Sequence, residues 1–244
     1  MASSAFAVRV STRARGVRLV MTLRDGLVVI VPRGFDQRQI PEIIETKRAW
    51  IERAATRVAV RDLDRRRRLS TEPSTDRPER LVLRCLGAEW RVEYSSSPMV
   101  AQTAIRERPG RLLIVSGDVE DAGACRAALR RWLSRKARTT VAARLKVLAY
   151  EHGFEAGSVS VRAQRTRWAS CSRRGEISLN VKLLFLPAHL VDYVLLHELC
   201  HTVRMDHSAA FWALMREHDP ECKINSRLLK EAHHHVPPWF DISP

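Results

Sequence analysis

The sequence predicts an α+β protein with a small N-terminal module and a larger core. Apolar residues alternate near the N-terminus at Val17, Leu19 and Met21, which is the period of a half-buried strand. Between residues 119 and 152 they recur instead at helical spacing, with Leu129 and Leu145 in one stripe. No internal repeat is visible. We therefore expect strands and helices in separate stretches, and a core that carries a helix with the motif HExxH.

The N-terminal module, residues 8–62, is predicted to have the order strand, strand, helix. The apolar run 27–31 ends at Pro32 and is preceded by Asp25-Gly26, a pair typical of a hairpin turn. Asp36 is a suitable N-cap for the helix that follows. The apolar residues at helical spacing in that helix are Ile40, Ile43, Ile44, Trp50 and Ile51.

Residues 63–80 are predicted to form a linker or mobile loop. The segment combines charge with Ser, Thr and Pro and has no apolar periodicity. The core is then expected to span residues 81–235, and residues 236–244 are expected to be a tail. Within the core we predict a hairpin of segments 81–85 and 89–94, strands at 111–115, 158–161 and 177–179, one long helix over 119–152, and further helices after Pro187, near Ser208 and over 225–232.

The composition indicates a protein with a core of its own and a strongly basic surface. The chain has 244 residues, 45% of them hydrophobic, and a formal net charge of +15. Such a charge can attract nucleotides, nucleic acid or acidic proteins, but an Arg-rich solvated surface accounts for it equally well, and no nucleic-acid motif is apparent. The five scattered cysteines favour a reducing compartment. No long apolar run is present, so we expect no membrane span and a cytoplasmic location.

The segment HELCHTVRMDH contains the strongest functional signal. His197 and His201 are four residues apart, and on a helix their imidazoles project from one face, as two ligands of one tetrahedral zinc require. Glu198 can face the remaining coordination position, where it would act as general base on a water of lowered pKa. His207 lies ten residues after His197, where a turn could bring it back to the metal. A carboxylate on a later helix is the alternative third ligand, with Glu217, Glu221 and Glu231 as candidates.

Four segments together resemble the YgjP-like metallopeptidase family: RTRWASCS, ISLN, LLHELCH and HSAAFW. The segment KRAWI near residue 50 is similar to that family's opening. The resemblance implies a zincin-like fold, a zinc held by His197, His201 and His207, and a catalytic Glu198. It also makes Arg167 and Asn180 candidates for polar contacts with substrate. Ala169 departs from the family pattern, which usually has Gly at that place.

Several other residues of the predicted core could have either a functional or a structural role. Residues 168–171 could form a strand that pairs with an extended substrate, or Trp168 could be a core aromatic. Cys200 is expected to be a buried, inert thiol, and the run His233-His234-His235 a solvated helix end. Phe211 and Trp212 are expected to anchor the helix after His207. The group that would stabilise an oxyanion stays open among Tyr193, His152 and Arg167.

These observations favour a zinc metallopeptidase acting on protein or peptide substrates. Two alternatives use the same metal site. One is a metal-dependent nucleoside triphosphate pyrophosphatase or phosphohydrolase, in which Arg165 or Arg167 would hold phosphate. The other is a DNA-associated protease, suggested by a looser similarity of HELCH with His207 to SprT-like and WLM proteases and by the basic charge.

Overall fold

The computed structural model describes residues 6–22, 25–71, 77–97 and 102–241, with only the backbone described at residue 57 and over 61–71. The chain divides into two compact units, Met1–Pro73 and Ser74–Pro244. The mixture of strands and helices is the α+β class that the sequence predicts. Each unit is described by itself below.

The first unit contains a three-stranded sheet of β1 (Phe6–Ser11), β2 (Arg18–Thr22) and β3 (Gly26–Pro32). The antiparallel pairing of β2 with β3 confirms the predicted hairpin. β1, which the sequence analysis did not identify, runs parallel to β3 and places β3 in the centre. Val29 and Val31 of β3 are buried, together with Ile40 at the start of the following helix.

Two helices complete this unit, α1 (Ile40–Thr46) and α2 (Arg48–Thr71). Asp36 caps the turn before α1 by accepting a hydrogen bond from the Arg38 amide. Because α2 continues to Thr71, the predicted linker or mobile loop of residues 63–80 begins as helix rather than as a loop. Arg and Leu are good helix formers, and no Gly or Pro interrupts the segment before Pro73. A high density of charge was therefore not a sufficient reason to predict a loop. The boundary between the units, after Pro73, lies within the predicted linker.

The second unit begins with a four-stranded sheet. Its strands are β4 (Arg80–Leu83), β5 (Ala88–Ser96), β6 (Ala104–Arg108) and β7 (Leu112–Gly117), in the order β4-β5-β7-β6. The pairing of β4 with β5 confirms the second predicted hairpin. Trp90 and Val92 alternate with exposed residues on β5, so one face of the sheet is buried. β6 was not predicted.

Two helices, α3 (Ala122–Thr139) and α4 (Val141–Glu151), occupy the segment for which one helix was predicted. The break is at Thr140, whose φ of −114° departs from the usual helical value of about −63°. The Thr140 hydroxyl donates to the Lys136 carbonyl oxygen at 2.8 Å, a side-chain interaction that competes with the helix ladder. The apolar stripe continues through the break, which is why periodicity alone predicted a single helix.

The carboxylate of Glu107 on β6 joins the sheet to α3. It accepts hydrogen bonds from the indole N–H groups of Trp90 and Trp132, at 2.9 and 3.2 Å, and from the Lys136 ammonium at 2.9 Å. The two indoles meet edge to face at 5.7 Å. Burial favours the neutral carboxyl, but the hydrogen bonds from Lys136, Trp90 and Trp132 outweigh it and hold the pKa of Glu107 below its ordinary value.

The third sheet and three helices surround the candidate site. The sheet consists of β8 (Val159–Arg162), β9 (Ala169–Cys171) and β10 (Ile177–Asn180), with β10 in the centre and β9 at an edge. The helices α5 (Ala188–Val203), α6 (Ala209–His218) and α7 (Cys222–Glu231) follow, close to their predicted positions. α5 is buried along most of its length. No helix among the described ranges combines the length and apolarity that crossing a membrane requires.

The C-terminal segment is part of the core as far as Asp241, so the prediction of a tail over 236–244 is wrong for its described part. A short helix, α8 (Pro238–Asp241), buries Trp239 and Phe240. The buried Lys182 ammonium pairs with the Asp241 carboxylate at 2.6 Å, and the Arg130 guanidinium donates to the Phe240 carbonyl oxygen. The two adjacent aromatic side chains bury enough apolar surface to hold this segment in place. Its proline-rich composition did not indicate that packing. Residues 242–244 lie outside the described ranges.

Candidate metal centre

Three imidazoles converge at the C-terminal end of α5. His197 and His201 lie one turn apart on the same face of this helix, and their Nε2 atoms are 3.2 Å apart. His207 comes from the segment between α5 and α6, and its Nε2 lies 3.1 Å from that of His197. The ligand atoms of the three residues all lie within 4.8 Å of one another. Among the described residues no carboxylate or thiol joins this group.

The spacing of these nitrogens fits a zinc ion. Two nitrogens bound to zinc at about 2.0–2.1 Å with a tetrahedral angle lie about 3.3 Å apart. The two contacts to His197 Nε2, 3.2 and 3.1 Å, are close to that value. Three neutral imidazoles with an open fourth position are also the donor set of catalytic zinc sites. The residues present could therefore hold this metal without rearrangement.

The protonation of the imidazoles favours cation binding. His201 Nδ1 lies 2.9 Å from the Arg204 carbonyl oxygen, which can only accept, so Nδ1 must carry the proton. Burial lowers the pKa of His201, and it lowers that of His197 to about 4, with further lowering from the neighbouring imidazoles. A neutral His201 protonated at Nδ1 leaves Nε2 as a bare lone pair aimed at the centre.

The Phe211 side chain packs against all three imidazole rings. Phe211 on α6 is fully buried, and its ring centroid lies 5.0 Å from His197, 4.6 Å from His201 and 4.9 Å from His207. Ser208 caps α6 by accepting a hydrogen bond from the Phe211 amide. Phe211 thus anchors α6 as expected, and it also contacts every member of the triad, which the sequence did not indicate.

Glu198 lies beside the triad, on the side of β9. Its side chain is only 6% exposed, and the backbone N–H of Cys171 donates to its carboxylate. Burial raises the pKa of Glu198 to about 7, against the opposing effects of the Arg167 charge and the Cys171 hydrogen bond. A buried carboxyl with a single amide donor is well placed to exchange a proton near neutral pH.

A cleft of about 220 Å³ opens onto His197, one member of the triad, and onto Glu198. It is lined by Thr166, Arg167, Trp168, Ala169, Tyr193, Val194, His197, Glu198 and Leu229. Trp168 is half-buried and stacks on the His233 ring at 4.7 Å, so it is both a packing residue and part of the wall. Ala169 lies in the extended strand β9, a conformation that does not require glycine.

Arg167 and Asn180, the two residues expected at the substrate, have different surroundings. Arg167 is exposed and lines the cleft. Asn180 is 1% exposed and does not line the cleft; its amide donates to the carbonyl oxygens of Gln164 and Arg167 at 2.8 and 2.6 Å. Its side-chain oxygen accepts from the Lys182 amide at 3.1 Å. Asn180 therefore positions the backbone of the 164–167 segment.

The other residues singled out by sequence lie away from the cleft or are inert, with one exception. Cys200 is completely buried, and burial raises its pKa to about 12. His152 faces His218, with their Nδ1 atoms 3.0 Å apart, and does not line the cleft. Tyr193 does line it, with its ring centroid 6.1 Å from that of His197. The three alternative carboxylate ligands, Glu217, Glu221 and Glu231, are exposed and outside the triad.

Comparison with known proteins gives two findings. A family model described as YgjP-like, metallopeptidase domain, matches residues 15–232. The crystal structure of the metallopeptidase zymogen of Pyrococcus abyssi abylysin is similar at 26% identity and a TM-score of 0.35, covering 38% of this chain and 96% of that one. None of the curated proteins compared with the chain matches it.

Proposed function

The chain belongs to the YgjP-like metallopeptidase family, and we propose that it is a zinc-dependent peptidase in which His197, His201 and His207 bind the metal and Glu198 is the general base. The observation that carries this proposal is the convergence of three imidazoles, one of which, His197, lines an open cleft together with the buried Glu198 carboxylate. Each of these parts has a simpler structural explanation by itself, but together they match the needs of metal-assisted hydrolysis.

A bound zinc would polarise the scissile carbonyl and lower the pKa of a water molecule at the open position. Glu198 then accepts the proton of the attacking water on its carboxylate and delivers it to the leaving amine. The Cys171 amide fixes the orientation of this carboxylate, and burial keeps its basicity high enough for the transfer. The Arg204 carbonyl holds His201 in the tautomer that leaves Nε2 free.

The substrate is proposed to bind as an extended peptide along β9. This strand pairs with β10 on one side only, so the backbone groups of its outer edge, apart from the Cys171 N–H that donates to Glu198, are available to a further strand. Arg167 lies at the cleft and supplies a charged hydrogen-bond donor for a substrate carbonyl or carboxylate. Asn180 contributes indirectly, because it holds the Arg167 backbone. Tyr193 lines the cleft with its ring 6.1 Å from that of His197, but its hydroxyl is engaged with Ser226, so the group that would stabilise an oxyanion stays open.

Replacing Glu198 by Gln tests the central step. The amide keeps the shape of the side chain but cannot accept the proton, so hydrolysis of an unfolded protein substrate should fall by about a hundredfold or more while the zinc content stays at one per chain. Glu217→Gln is the matched control, because Glu217 is exposed and outside the triad. Retained hydrolysis in Glu198→Gln would remove the general-base assignment.

The alternative activities have less support. Arg167 at the cleft is compatible with phosphate binding by a nucleoside triphosphate hydrolase, but the family match is to a peptidase domain. Action on DNA-bound proteins rests on the basic charge and on the looser similarity of the HELCH segment to SprT-like and WLM proteases. A cytoplasmic location stays a prediction. Incubating the zinc-loaded protein with nucleoside triphosphates and measuring released phosphate would detect the first alternative, and Arg167→Ala should abolish it.

A further inference from the structure

A second cavity, of about 370 Å³, lies between α6 and α7. Four basic side chains line it: Arg216 from α6, and Lys223, Arg227 and Lys230 from α7. The remaining wall is Trp212, Cys222 and Ser226. The three α7 residues are spaced by four and three positions, so they share one face of the helix and point to the same space.

These four cations are not held in ion pairs with any described residue. All four side chains are exposed, and none makes an ion pair with a carboxylate in the described part of the chain. Like charges at these helical spacings repel one another and weaken the helix slightly. An anion in the cavity would relieve the repulsion and contact several cations at once.

The basic cavity adjoins the catalytic cleft. Trp212 lines the cavity, and its ring lies 6.0 Å from that of His207. Tyr193, which lines the cleft, forms a side-chain hydrogen bond with Ser226, which lines the cavity. Leu229 and Lys230 are consecutive on α7 and line the cleft and the cavity, respectively. A chain bound at the triad therefore reaches the cations within a few residues.

We propose that this cavity is a specificity subsite for Asp and Glu side chains of the peptide substrate, so that the enzyme prefers bonds flanked on one side by an acidic segment. The inference rests on the proposed peptidase function and adds the substrate class to it. Carboxylates match the paired N–H groups of Arg216 and Arg227, and the Trp212 ring offers apolar surface for side-chain methylenes. The cations are gathered in one bounded cavity beside the cleft, which suits a short acidic segment better than a long polyanion.

The test compares short fluorogenic peptides that are identical except for a run of Glu or of Gln at the N-terminal or the C-terminal end. Binding is measured by fluorescence anisotropy on zinc-loaded Glu198→Gln protein, and hydrolysis on the wild type. When the run is at the end of the peptide that reaches the cavity, we expect the Glu peptide to bind about tenfold more tightly than the Gln peptide and to have a higher kcat/KM. The reason is that several solvent-exposed ion pairs act together. The preference should shrink at high salt.

Charge reversal locates the subsite. Lys223→Glu with Arg227→Glu should abolish or reverse the preference for Glu over Gln. The matched control, Arg138→Glu with Lys146→Glu, makes the same change in net charge at exposed positions on α3 and α4 and should keep the preference. Zinc content and melting temperature establish that both variants are folded.

The outcomes separate the two proposals. Equal hydrolysis of Glu and Gln peptides by the wild type would overturn the subsite and leave the peptidase intact. Tight binding of the Glu peptide without hydrolysis of any peptide would count against the peptidase, and with it against a substrate subsite. Binding of a DNA duplex that depends on Lys223 and Arg227, with no preference for the Glu peptides, would also overturn the inference.

Discussion

Replacing His207 by Ala should remove most of the zinc affinity while leaving the fold intact. His207 Nε2 lies 3.1 Å from His197 Nε2, essentially the same separation as between the two ligands of α5, so it should carry a comparable share of the binding. Loss of even an outer hydrogen-bond partner of a ligand weakens metal affinity about 10–100-fold. Loss of the ligand itself should therefore raise the Kd by at least about a hundredfold, or roughly 2.7 kcal/mol.

The assay is competition for zinc with a chromogenic chelator, with the metal-free melting temperature as a measure of the fold. His207 is exposed, so its truncation should change the metal-free stability by no more than about 0.5 kcal/mol. His207→Cys retains a zinc-binding atom and should recover part of the affinity. Glu217→Ala, the alternative third ligand, should leave the Kd nearly unchanged.

A carboxylate as the third zinc ligand would give the opposite result. If His207→Ala binds zinc as tightly as the wild type, while Glu217→Ala, Glu221→Ala or Glu231→Ala loses the metal, then a carboxylate is the third ligand and α6 or α7 must move to deliver it. If all of these variants bind zinc normally, His197 and His201 hold the metal by themselves or the site lies elsewhere.

Two further predictions concern stability and loop positioning. Glu107→Gln should lower the free energy of unfolding at neutral pH by about 1 kcal/mol, a modest value because the carboxylate is partly exposed. The folded-state pKa of Glu107 is lowered, so its contribution is present above the unfolded value of about 4.3 and is lost as pH falls through the folded one. The difference in unfolding free energy between wild type and variant, measured by urea denaturation, should therefore shrink as the pH is lowered from 7 into the acid range, and a constant difference would contradict this. Asn180→Ala leaves the Gln164 and Arg167 carbonyl oxygens without their donor and should cost about 2–4 kcal/mol, raise KM and leave zinc affinity unchanged. Asn180→Asp keeps the acceptor but lacks the donor and should behave similarly, whereas unaltered KM in both variants would mean that the 164–167 segment does not touch substrate.

The convergence of the three histidines could be predicted from sequence because its geometry is local. A spacing of four residues on a helix fixes the relation of His197 to His201, and a short connection brings His207 back to them. The N-caps Asp36 and Ser208 and the turn at Asp25-Gly26 were readable for the same reason, since each depends on a few neighbouring residues.

The features that sequence did not indicate depend on partners distant in the chain. β1 and β6 are strands because β3 and β7 lie beside them, and neither has a distinctive pattern of its own. Asn180 resembled a substrate-binding residue, but its amide is engaged by carbonyl oxygens 13 and 16 residues earlier. Phe240 is buried because it packs against other parts of the second unit, and nothing in its own segment indicates this. Such contacts follow from tertiary packing, which single-sequence patterns do not contain.

The exposed position of His207 has a consequence for how the chain folds. Two ligands belong to α5, and the third lies beyond its end, so a bound metal would close a loop of ten residues in the way a covalent cross-link does. A metal that binds the folded state and not the unfolded chain adds stability that grows with metal concentration. A cell short of zinc would then lose folded enzyme as well as loaded enzyme, so metal supply would govern the abundance of this protein through its turnover.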